Sequence, residues 1–170
     1  NTTNTDAGGW KNSDMRYNVL GSTNTQNGDA TATTATSPKA NTLMSCLPAD
    51  LRAVMRPMCI YTDNTGGGSD IASYVTTTID FLPLLAEFEI HGARTYANSA
   101  EQNSQAQYAY FKNGNSKVKY RHDSQSSTTS WWSRSPDSSV GYYFCYVDIS
   151  SIAYFNVAGI SCGVAPAFKI

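Results

Sequence analysis

The sequence predicts an α+β domain in which two main helices pack against a small, mixed and mostly antiparallel sheet. The first observation is a helical pattern in LPADLRAVMRPM, where apolar residues recur from Leu47 to Met58 at steps of four, three, one and three. The second is a hairpin pattern, in which two β-rich runs flank the glycine tip of CIYTDNTGGGSDIASYVTTTI. The third is the aromatic and apolar C-terminal region 130–170, which is far richer in packing groups than the N-terminus.

Length and composition set the outer limits of the interpretation. A chain of 170 residues with 41% apolar content fits one domain, so we expect 1–170 to be a single unit with 1–8 as a flexible lead-in. The net charge of −1 argues against a nucleic-acid partner, and no apolar run approaches the 18 or so residues of a membrane span. Because the sequence starts at Asn1 without a methionine, we expect it to be part of something longer.

The N-terminal elements follow in order. The first helix is expected near residues 10–20, where GGWKNSDMRYNVLG opens after a glycine pair and closes at a glycine. Residues 22–41 are rich in Thr, Asn, Ala and Gly without periodicity, which indicates a surface loop or, alternatively, a linker. The second helix is expected over 47–57, because Pro48 suits a first helical turn and Asp50 complements the N-terminal dipole.

Between the hairpin and the C-terminal region the patterns are weaker. In DFLPLLAEFEIHG, Pro83 and the period-two spacing of Glu87 and Glu89 favour a turn and a strand, with both carboxylates on a solvated face rather than in a catalytic pair. The run SAEQNSQAQYAYFKNGN is typical of a polar helix that ends at Gly114. It is followed by the basic, strand-like SKVKYRHD and by a Ser/Thr loop up to Ser130.

Metal and thiol chemistry find little support in the residue pattern. The two histidines, His91 and His122, do not stand at ligand spacing to a cysteine or to each other. The hairpin tip 63–70 offers acidic and amide oxygens, but the EF-hand spacing and its closing glutamate are missing, so we interpret these as turn residues. We therefore expect no metal site and no cofactor. The cysteines lack CxxC spacing and are expected to be buried free thiols: Cys46, Cys59, Cys145 and Cys162.

The stretch from Asp137 to Cys162 has a filtered composition. Its 26 residues contain no Lys, Glu, Gln, Met or Trp, although these five types fill 20 of the first 136 positions. At that rate about four would be expected, so their complete absence has a chance on the order of 1 to 2%. A buried pair of strands also lacks charged and amide side chains, and this stays as the alternative interpretation.

Several motifs together resemble one bacterial and phage domain family. They are GGWKNS, NTLMSCLPADLRAVM, YTDNTGGG, QAQYAYFKNGNSKVKYRHD, WWSRSP, YFCYV and GVAPAF, and they cover nearly the whole chain from Gly8 onward. The layout is similar to that of the variable proteins of diversity-generating retroelements, which have a C-type-lectin-like fold. The most specific part is WWxRSP followed by GVxPAF. Ser133 departs from it, because such members usually carry a leucine at that position.

The resemblance implies a source for the filtered composition. In those systems reverse transcription is error-prone at template adenines, so an AAC or AAT asparagine codon becomes any codon ending in C or T. Such codons cannot encode Lys, Glu, Gln, Met or Trp, which are the five types absent from 137–162. The resemblance therefore implies a hypervariable surface within 133–162, diversified by adenine-directed mutagenesis and carried on a C-type-lectin-like α+β scaffold.

The same resemblance divides the C-terminal region into fixed and displayed positions. Displayed Tyr and Phe would give large contact areas, and displayed Asn and Asp would give adaptable hydrogen bonds. The expected scaffold positions are Phe144, Cys145, Val147, Ala153, Ala158, Gly163, Val164, Pro166 and Phe168. The expected ligand-binding positions are Val140, Tyr142, Tyr143, Tyr146, Asp148, Ile149, Ile152, Tyr154, Phe155, Asn156, Val157, Gly159, Ile160 and Cys162.

The architecture of this region can be stated as an expectation. Residues 142–148 and 163–169 should both join the sheet. Trp131 and Trp132 should differ, one buried against the GVAPAF strand and the other supporting the binding face.

The expected function is ligand binding without catalysis. A protein or cell-surface ligand is favoured, because the C-terminal segment offers few acidic and amide groups for a sugar-binding calcium site. The implied location is a phage virion, at a tail or fibre, or a bacterial cell surface. Two alternatives stay open. One is an oxidase similar to formylglycine-generating enzymes, in which Cys145 and Cys162 would be the thiol pair, and the other is a purely structural virion or surface module.

Overall fold

Three small antiparallel sheets joined by short helices make up the fold, which is α+β as expected. The computed structural model describes residues 4–170. The α-helices of this part are α1 (Ala32–Thr36), α2 (Leu43–Cys46), α3 (Ala49–Val54), α4 (Glu87–His91) and α5 (Ala109–Lys112). The strands are β1 (Met58–Asp63), β2 (Val75–Asp80), β3 (Lys119–Arg121), β4 (Ser124–Thr129), β5 (Trp131–Pro136), β6 (Tyr143–Val147) and β7 (Ala153–Val157).

The expected flexible lead-in is packed where the structure describes it. Residues 1–3 lie outside the described residues, but Asp6 is fully buried and its Oδ1 accepts a hydrogen bond from the Gly67 amide at 2.9 Å. The backbone N–H of Gly8 donates to the Thr65 carbonyl at 2.7 Å. The expectation is therefore wrong for residues 4–8, because this segment satisfies its polar groups on the tip of the β1–β2 hairpin.

The expected first helix, near 10–20, is reduced to one π-type turn at Met15–Val19. The segment is held at its two ends by Trp10 and Leu20, which are buried at 1% and 0% exposure. Between them the fully buried Arg16 forms an ion pair with Asp80 of β2, at 2.6 Å from Nε to Oδ1. The buried residues Trp10 and Leu20 lie far apart in the segment, with the buried cation Arg16 between them, and this favours an irregular loop. An amphipathic helix would instead carry its apolar residues in one stripe.

The expected second helix, over 47–57, is broken into α2 and α3. Leu47 precedes Pro48 and is extended, with φ −72° and ψ 144°, because the proline ring disfavours the helical region for the residue before it. Thr42 caps α2 by accepting a hydrogen bond from the Ser45 amide. The residues expected on the core face also differ, since Met55 is buried but Val54 is 46% exposed.

The predicted hairpin is confirmed. β1 and β2 pair antiparallel, with Met58 opposite Asp80 and Asp63 opposite Val75. Its glycine tip turns through three positive φ values, and a Cβ on Gly68 would lie 2.6 Å from the backbone nitrogen of Gly141. The tip therefore packs against the start of the C-terminal segment, and glycine is required there both for φ and for the close approach.

The segment containing Glu87 and Glu89 is a helix, not a solvated strand face. Both carboxylates lie on α4, and both are buried, at 1% and 9% exposure. Glu89 caps its own helix by accepting the Ala86 amide at 2.9 Å, while α4 ends at Gly92 in the left-handed region with φ 69°. Period-two spacing was misleading here because each carboxylate has its own partners elsewhere in the fold.

The region 99–130 also differs from its prediction in two places. The expected polar helix over 99–115 is a 3₁₀ turn at Ser99–Asn103 followed by α5, which ends in a turn before Gly114. The basic strand is confirmed as β3, but the expected Ser/Thr loop is strand β4, antiparallel to it with a register shift after Tyr120. The four consecutive side chains from Gln125 to Thr128 in β4 are exposed and polar, so the strand has no apolar pattern in the sequence.

The C-terminal sheet has the order β5–β6–β7, and all neighbours are antiparallel. The expected strand at 142–148 is confirmed as β6. Residues 163–169 do not form a strand, and instead make isolated bridges from Gly163 to Trp131, from Pro166 to Leu84 and from Lys169 to Arg56. Phe168, expected in the scaffold, is 46% exposed, because this last segment lies over the surface of the domain.

Two clusters of buried side chains form the core, and the two tryptophans divide between them. Trp131 packs with Ile90, Phe111 and Val147, with Ala165 partly buried against the cluster. Trp132 belongs to the larger cluster, which is built from Trp10, Leu20, Ala35, Met44, Met55, Ile60, Phe81, Leu82, Leu84, Trp132 and Phe144. The two tryptophans therefore have different surroundings, since Trp131 bridges to Gly163 in a segment that is not a strand and Trp132 contacts the Tyr146 ring.

Candidate ligand-binding face

Six aromatic rings form a continuous surface over the sheet β5–β6–β7, and we refer to it as the aromatic face. Its members are Tyr96, Tyr142, Tyr143, Tyr146, Tyr154 and Phe155. Tyr154 and Phe155 stack at 5.0 Å between centroids with an interplanar angle of 6°. Tyr143 lies 4.9 Å from Phe155, and Tyr146 lies 5.9 Å from Tyr154. Contacts of this kind favour a fixed arrangement of rings even where one side faces solvent.

None of the fourteen predicted ligand-binding positions is buried. The most exposed large side chains among them are Ile152 at 60%, Ile149 at 56%, Tyr154 at 47% and Tyr142 at 44%. The half-buried members are Val140, Tyr143, Tyr146, Asp148, Phe155, Asn156, Val157 and Cys162, and Gly159 and Ile160 are exposed. The structure therefore brings the predicted positions to the surface.

The interleaved scaffold positions on the strands are buried. Phe144, Cys145 and Val147 on β6 are exposed by 8%, 1% and 1%, and Ala153 on β7 by 8%. Because successive strand residues point to opposite faces, the consecutive buried residues Phe144 and Cys145 show that β6 is packed on both of its faces. The later scaffold positions are less enclosed: Ala158, Gly163 and Pro166 are half-buried and Val164 and Phe168 are exposed. The expectation of a buried scaffold thus fails for Val164 and Phe168.

Trp132 supports the aromatic face from below. Its ring lies 5.9 Å from that of Tyr146, at 77°, while the indole itself is only 5% exposed. Cross-strand pairing places Trp132 opposite Tyr146, and Tyr146 opposite Tyr154. One row across three strands therefore runs from the core to the surface, and each ring limits the position of the next.

Glu87 positions Tyr96, the one ring that comes from outside the C-terminal segment. The Glu87 carboxylate accepts backbone hydrogen bonds from Thr95, Tyr96 and Ala97 at 2.8 to 3.1 Å. The Tyr96 carbonyl in turn accepts from Ser138 at 2.9 Å. Three donors to one buried carboxylate fix this loop, so Tyr96 meets Phe155 at 4.8 Å between centroids.

Two aspartates close the turns that flank β6. Asp137 Oδ1 accepts from the amides of Ser139 and Val140, both at 2.8 Å. Asp148 Oδ1 accepts from the amides of Ser150 and Ile152, again both at 2.8 Å. Asp148 was expected to be displayed, yet one of its oxygens is committed to the turn that carries Ile152. Its role in the site is therefore at least partly structural.

The oxygens of the hairpin tip accept hydrogen bonds both from the turn itself and from residues 94–99 outside it. Asp63 Oδ1 accepts from the amides of Thr65 and Gly66, and its Oδ2 accepts from Asn98 at 2.9 Å. Asp70 accepts from the Ser99 amide at 2.7 Å and pairs with Arg94. Within residues 4–170 no cluster of three or more His, Cys, Asp or Glu side chains is arranged to hold a metal ion.

One family model spans nearly the entire chain. The match covers residues 2–170, and the family is described as Domain of unknown function (DUF6273). The chain belongs to this family. Neither a curated protein nor a solved structure matches it. The aromatic face of this DUF6273 domain therefore has to be interpreted from its own geometry.

The four cysteines of the DUF6273 domain are free thiols, but they are not all buried. Cys46 and Cys59 are exposed, Cys162 is half-buried, and only Cys145 is enclosed. Burial raises the pKa of the Cys145 thiol well above its ordinary value, and nearby Glu87 adds to the effect. The expectation of four buried thiols is wrong for Cys46 and Cys59, because an apolar neighbour in sequence does not determine which face a side chain occupies.

Tyr96 is the member of the aromatic face that sequence reasoning missed. It lies in the loop after α4, far from the filtered stretch, and its neighbours Thr95 and Ala97 give no local pattern. The signal that points to it is indirect: a buried glutamate whose oxygens bind the amides of this loop.

Within residues 4–170 the DUF6273 domain has no helix that is long and apolar enough to cross a membrane.

Proposed function

We propose that this DUF6273 domain is a ligand-binding domain of C-type-lectin-like fold, and that a hypervariable surface within its segment 133–162 is diversified by adenine-directed mutagenesis. The ligand is a protein or another target on a cell surface, bound through the aromatic face. The domain acts on a phage tail or fibre or on a bacterial cell surface, and it is not an enzyme.

One observation carries the proposal: on β6 and β7, exposure follows the division between displayed and fixed positions that the resemblance implies. All fourteen predicted ligand-binding positions are at least partly exposed, while Phe144, Cys145, Val147 and Ala153 between them are buried. A surface can be varied without loss of the fold only if its members are not part of the core. This arrangement supports a diversified face on a fixed support.

The chemistry of the face favours a protein ligand. Tyr and Phe rings bury large areas on binding at a small cost in side-chain entropy, which is why tyrosine dominates antibody-like recognition surfaces. The exposed isoleucines Ile149, Ile152 and Ile160 extend the apolar area beyond the rings. A contiguous apolar patch on a domain that must stay soluble is typical of a recognition surface.

The two alternatives find less support. A structural module would favour burial of the apolar side chains between 142 and 162, and the large ones at Tyr142, Ile152 and Tyr154 are exposed by 44 to 60%. An oxidase needs a reactive thiolate. Burial raises the pKa of the enclosed Cys145 thiol and also that of the half-buried Cys162 thiol, so the thiolate is disfavoured at both positions.

Deep sequencing of this gene in a growing population tests the diversification. Substitutions should concentrate at codons for the predicted ligand-binding positions, at adenines of a nearby near-copy of the segment encoding 133–170, and should spare Phe144, Cys145 and Val147. Substitutions spread evenly over the gene, with no such near-copy, would overturn this part of the proposal.

A display library tests the binding role separately. The fourteen predicted positions are randomised with codons ending in C or T, and the library is selected against one fixed probe, lysozyme. Folded binders should emerge from it. A control library, randomised at the same number of exposed positions on α1, α3 and the β3–β4 hairpin, should yield none. Equal success of the control would show that the aromatic face has no special capacity for binding.

A further inference from the structure

A second surface includes none of the six rings of the aromatic face, although its lining shares Cys162 with the predicted ligand-binding positions, and we propose that it binds an extended acidic segment of a partner protein. It is a groove of about 770 Å³ between the β3–β4 hairpin and residues 161–165. We call it the hairpin groove. Lys119 and Arg121 line its hairpin side, and Gly163, Val164 and Ala165 line the other side. The proposal goes beyond ligand binding through the hypervariable surface.

The charged residues of the hairpin groove favour an acidic occupant. Its lining holds two cations, Lys119 and Arg121, and one acid, Asp123, whereas the whole chain has a net charge of −1. Lys119 makes no ion pair with any residue in 4–170, and its Nζ lies over the Trp131 ring at 5.6 Å from the centroid. Arg121 pairs only with Asp123, at 2.7 Å, and the two side chains are 57% and 64% exposed. Both cations are therefore open to a carboxylate from outside.

The free edge of β3 favours an occupant with an extended backbone. Within the described residues β3 and β4 form a sheet of two strands, so the edge of β3 away from β4 has no partner strand. An extended peptide can pair with such an edge through its backbone, and its alternate side chains then project to the same side as those of β3. Lys119 and Arg121 are two residues apart, so acids at every second position of the peptide would meet them.

The lining favours a polypeptide over a nucleic acid. Single-stranded nucleic acid binds by stacking successive bases on aromatic rings, but of the two Tyr and Trp rings in the lining only Tyr120 is exposed, at 57%, whereas Trp131 is 1% exposed and lies beneath Lys119. The opposite side, from Ser161 to Ala165, has no charged residue for a phosphate. Small apolar groups there suit peptide side chains instead.

A second copy of this chain does not supply the acidic segment. Its 13 acidic residues include no adjacent pair. Glu87 and Glu89, which do alternate, are buried on α4. The occupant is therefore a segment of a different protein, with Asp or Glu at alternate positions.

Fluorescence anisotropy with two labelled ten-residue peptides tests the inference. One alternates Glu and Val and the other alternates Lys and Val, and a ten-nucleotide oligothymidine serves as the third probe. The Glu–Val peptide should bind the intact domain with a Kd below about 1 mM, and salt should weaken it because the interaction is between exposed charges. The Lys–Val peptide should not bind. Tighter binding of the oligonucleotide, or no binding of the Glu–Val peptide, would overturn the inference.

Three variants locate the binding. Lys119→Gln with Arg121→Gln should weaken the Glu–Val peptide at least about tenfold, which corresponds to loss of roughly 1.4 kcal/mol. Asp123→Asn should strengthen it, because Arg121 loses its competing partner. Lys11→Gln, far along the chain, is the matched control and should change nothing. An unchanged Kd for the variant with both Lys119→Gln and Arg121→Gln contradicts the assignment. The variant with Tyr154→Ser and Phe155→Asp should leave the Kd unchanged if the hairpin groove binds independently of the aromatic face.

Discussion

Arg134 of β5 and Glu89 of α4 meet through two hydrogen bonds, 2.6 Å from Nη1 to Oε2 and 2.7 Å from Nη2 to Oε1. The pair joins elements 45 residues apart and is almost fully enclosed, with side-chain exposures of 1% and 11%. Nη1 also donates to the Leu84 carbonyl at 2.8 Å. The strand beneath the aromatic face is thereby fixed to the helix that positions Tyr96.

Removal of Glu89 should be far more costly than removal of an exposed acid. Glu89→Ala leaves Arg134 buried without its counter-charge, which typically costs about 3 to 5 kcal/mol of unfolding free energy. Asp123→Ala breaks the exposed pair with Arg121 and should change the free energy of unfolding little, because solvent screens the two charges. Urea denaturation of both variants measures the difference. Equal losses would mean that the buried pair does not hold β5 against α4.

The aromatic face and the core should respond differently to loss of rings. Tyr154→Ser with Phe155→Asp removes ring contacts at the surface, and we expect a loss of roughly 1 to 2 kcal/mol. Phe144→Ala creates a cavity in the larger core cluster and should cost about 3 to 5 kcal/mol. Phe168→Ala is the second control, since its exposed ring should matter little.

Thermal unfolding measures these losses, and binding of an apolar dye measures the exposed patch. The double variant at Tyr154 and Phe155 should bind less dye than the parent, because an exposed apolar area has been removed. If that variant unfolds as readily as Phe144→Ala, the two rings are part of the core and the displayed assignment is wrong.

Asp6 should make the domain less stable as the pH rises from about 4 to about 6. Burial raises the pKa of its carboxyl from 3.8 to about 6, although the Gly67 amide opposes this shift. In this interval the folded state holds the proton that the unfolded state has released, so the free energy of unfolding falls with rising pH. The contribution is lost fully above the folded-state pKa.

Asp6→Asn cannot release this proton, and it provides the comparison. Urea denaturation at pH 4, 5, 6 and 7 should show the variant gaining stability relative to the parent as the pH rises. The side-chain oxygen of Asn can accept the hydrogen bond that the Gly67 amide donates to Asp6 Oδ1. A constant difference between variant and parent across these values would contradict the buried titration.

His91 should have the opposite effect, because it should make the domain less stable as the pH falls. Burial lowers the pKa of its imidazole to about 4, and the nearby charge of Lys117 adds to the shift. The unfolded chain therefore binds a proton first as the pH falls below about 6.5, and the stability that His91 contributes above that value is lost toward pH 4.

His91→Gln should flatten the dependence of stability on pH between 6.5 and 4, measured by the same denaturation series. His122→Gln is the matched control, because His122 is exposed at the end of the β3 strand. A variant at His91 that follows the parent curve would show that the imidazole is accessible to solvent when folded.

Local patterns predicted the fold where one segment contains its own signal. The β1–β2 hairpin carries its glycine tip and both β-rich runs within one stretch, and it formed as expected. The interruption at Leu47 and Pro48 was also present in the sequence, since a residue before proline avoids the helix. The aromatic side chains of β6 and β7 were located by composition, because the absence of five residue types marks a continuous segment.

Partners distant in the chain explain the remaining differences. Glu89 has the spacing of a solvated strand, and only Arg134, 45 residues later, makes its burial possible. Tyr96 joins the aromatic face through Glu87 and not through any property of its own neighbours. Phe168 has the character of a core residue, but it is 46% exposed and belongs to neither buried cluster. No window of sequence contains these relationships.

All six residues of β5, from Trp131 to Pro136, are buried, and this has a kinetic consequence. The Trp132 amide donates to Gly163 at 3.0 Å and the Arg134 amide to Leu85 at 2.9 Å, so neither faces water. Amide hydrogens in such a position exchange with deuterium only when the whole domain opens. The strand under the changing face should thus hold its protons longest, and successive sequence variants of that face should share one slow exchange rate at Trp132 and Arg134.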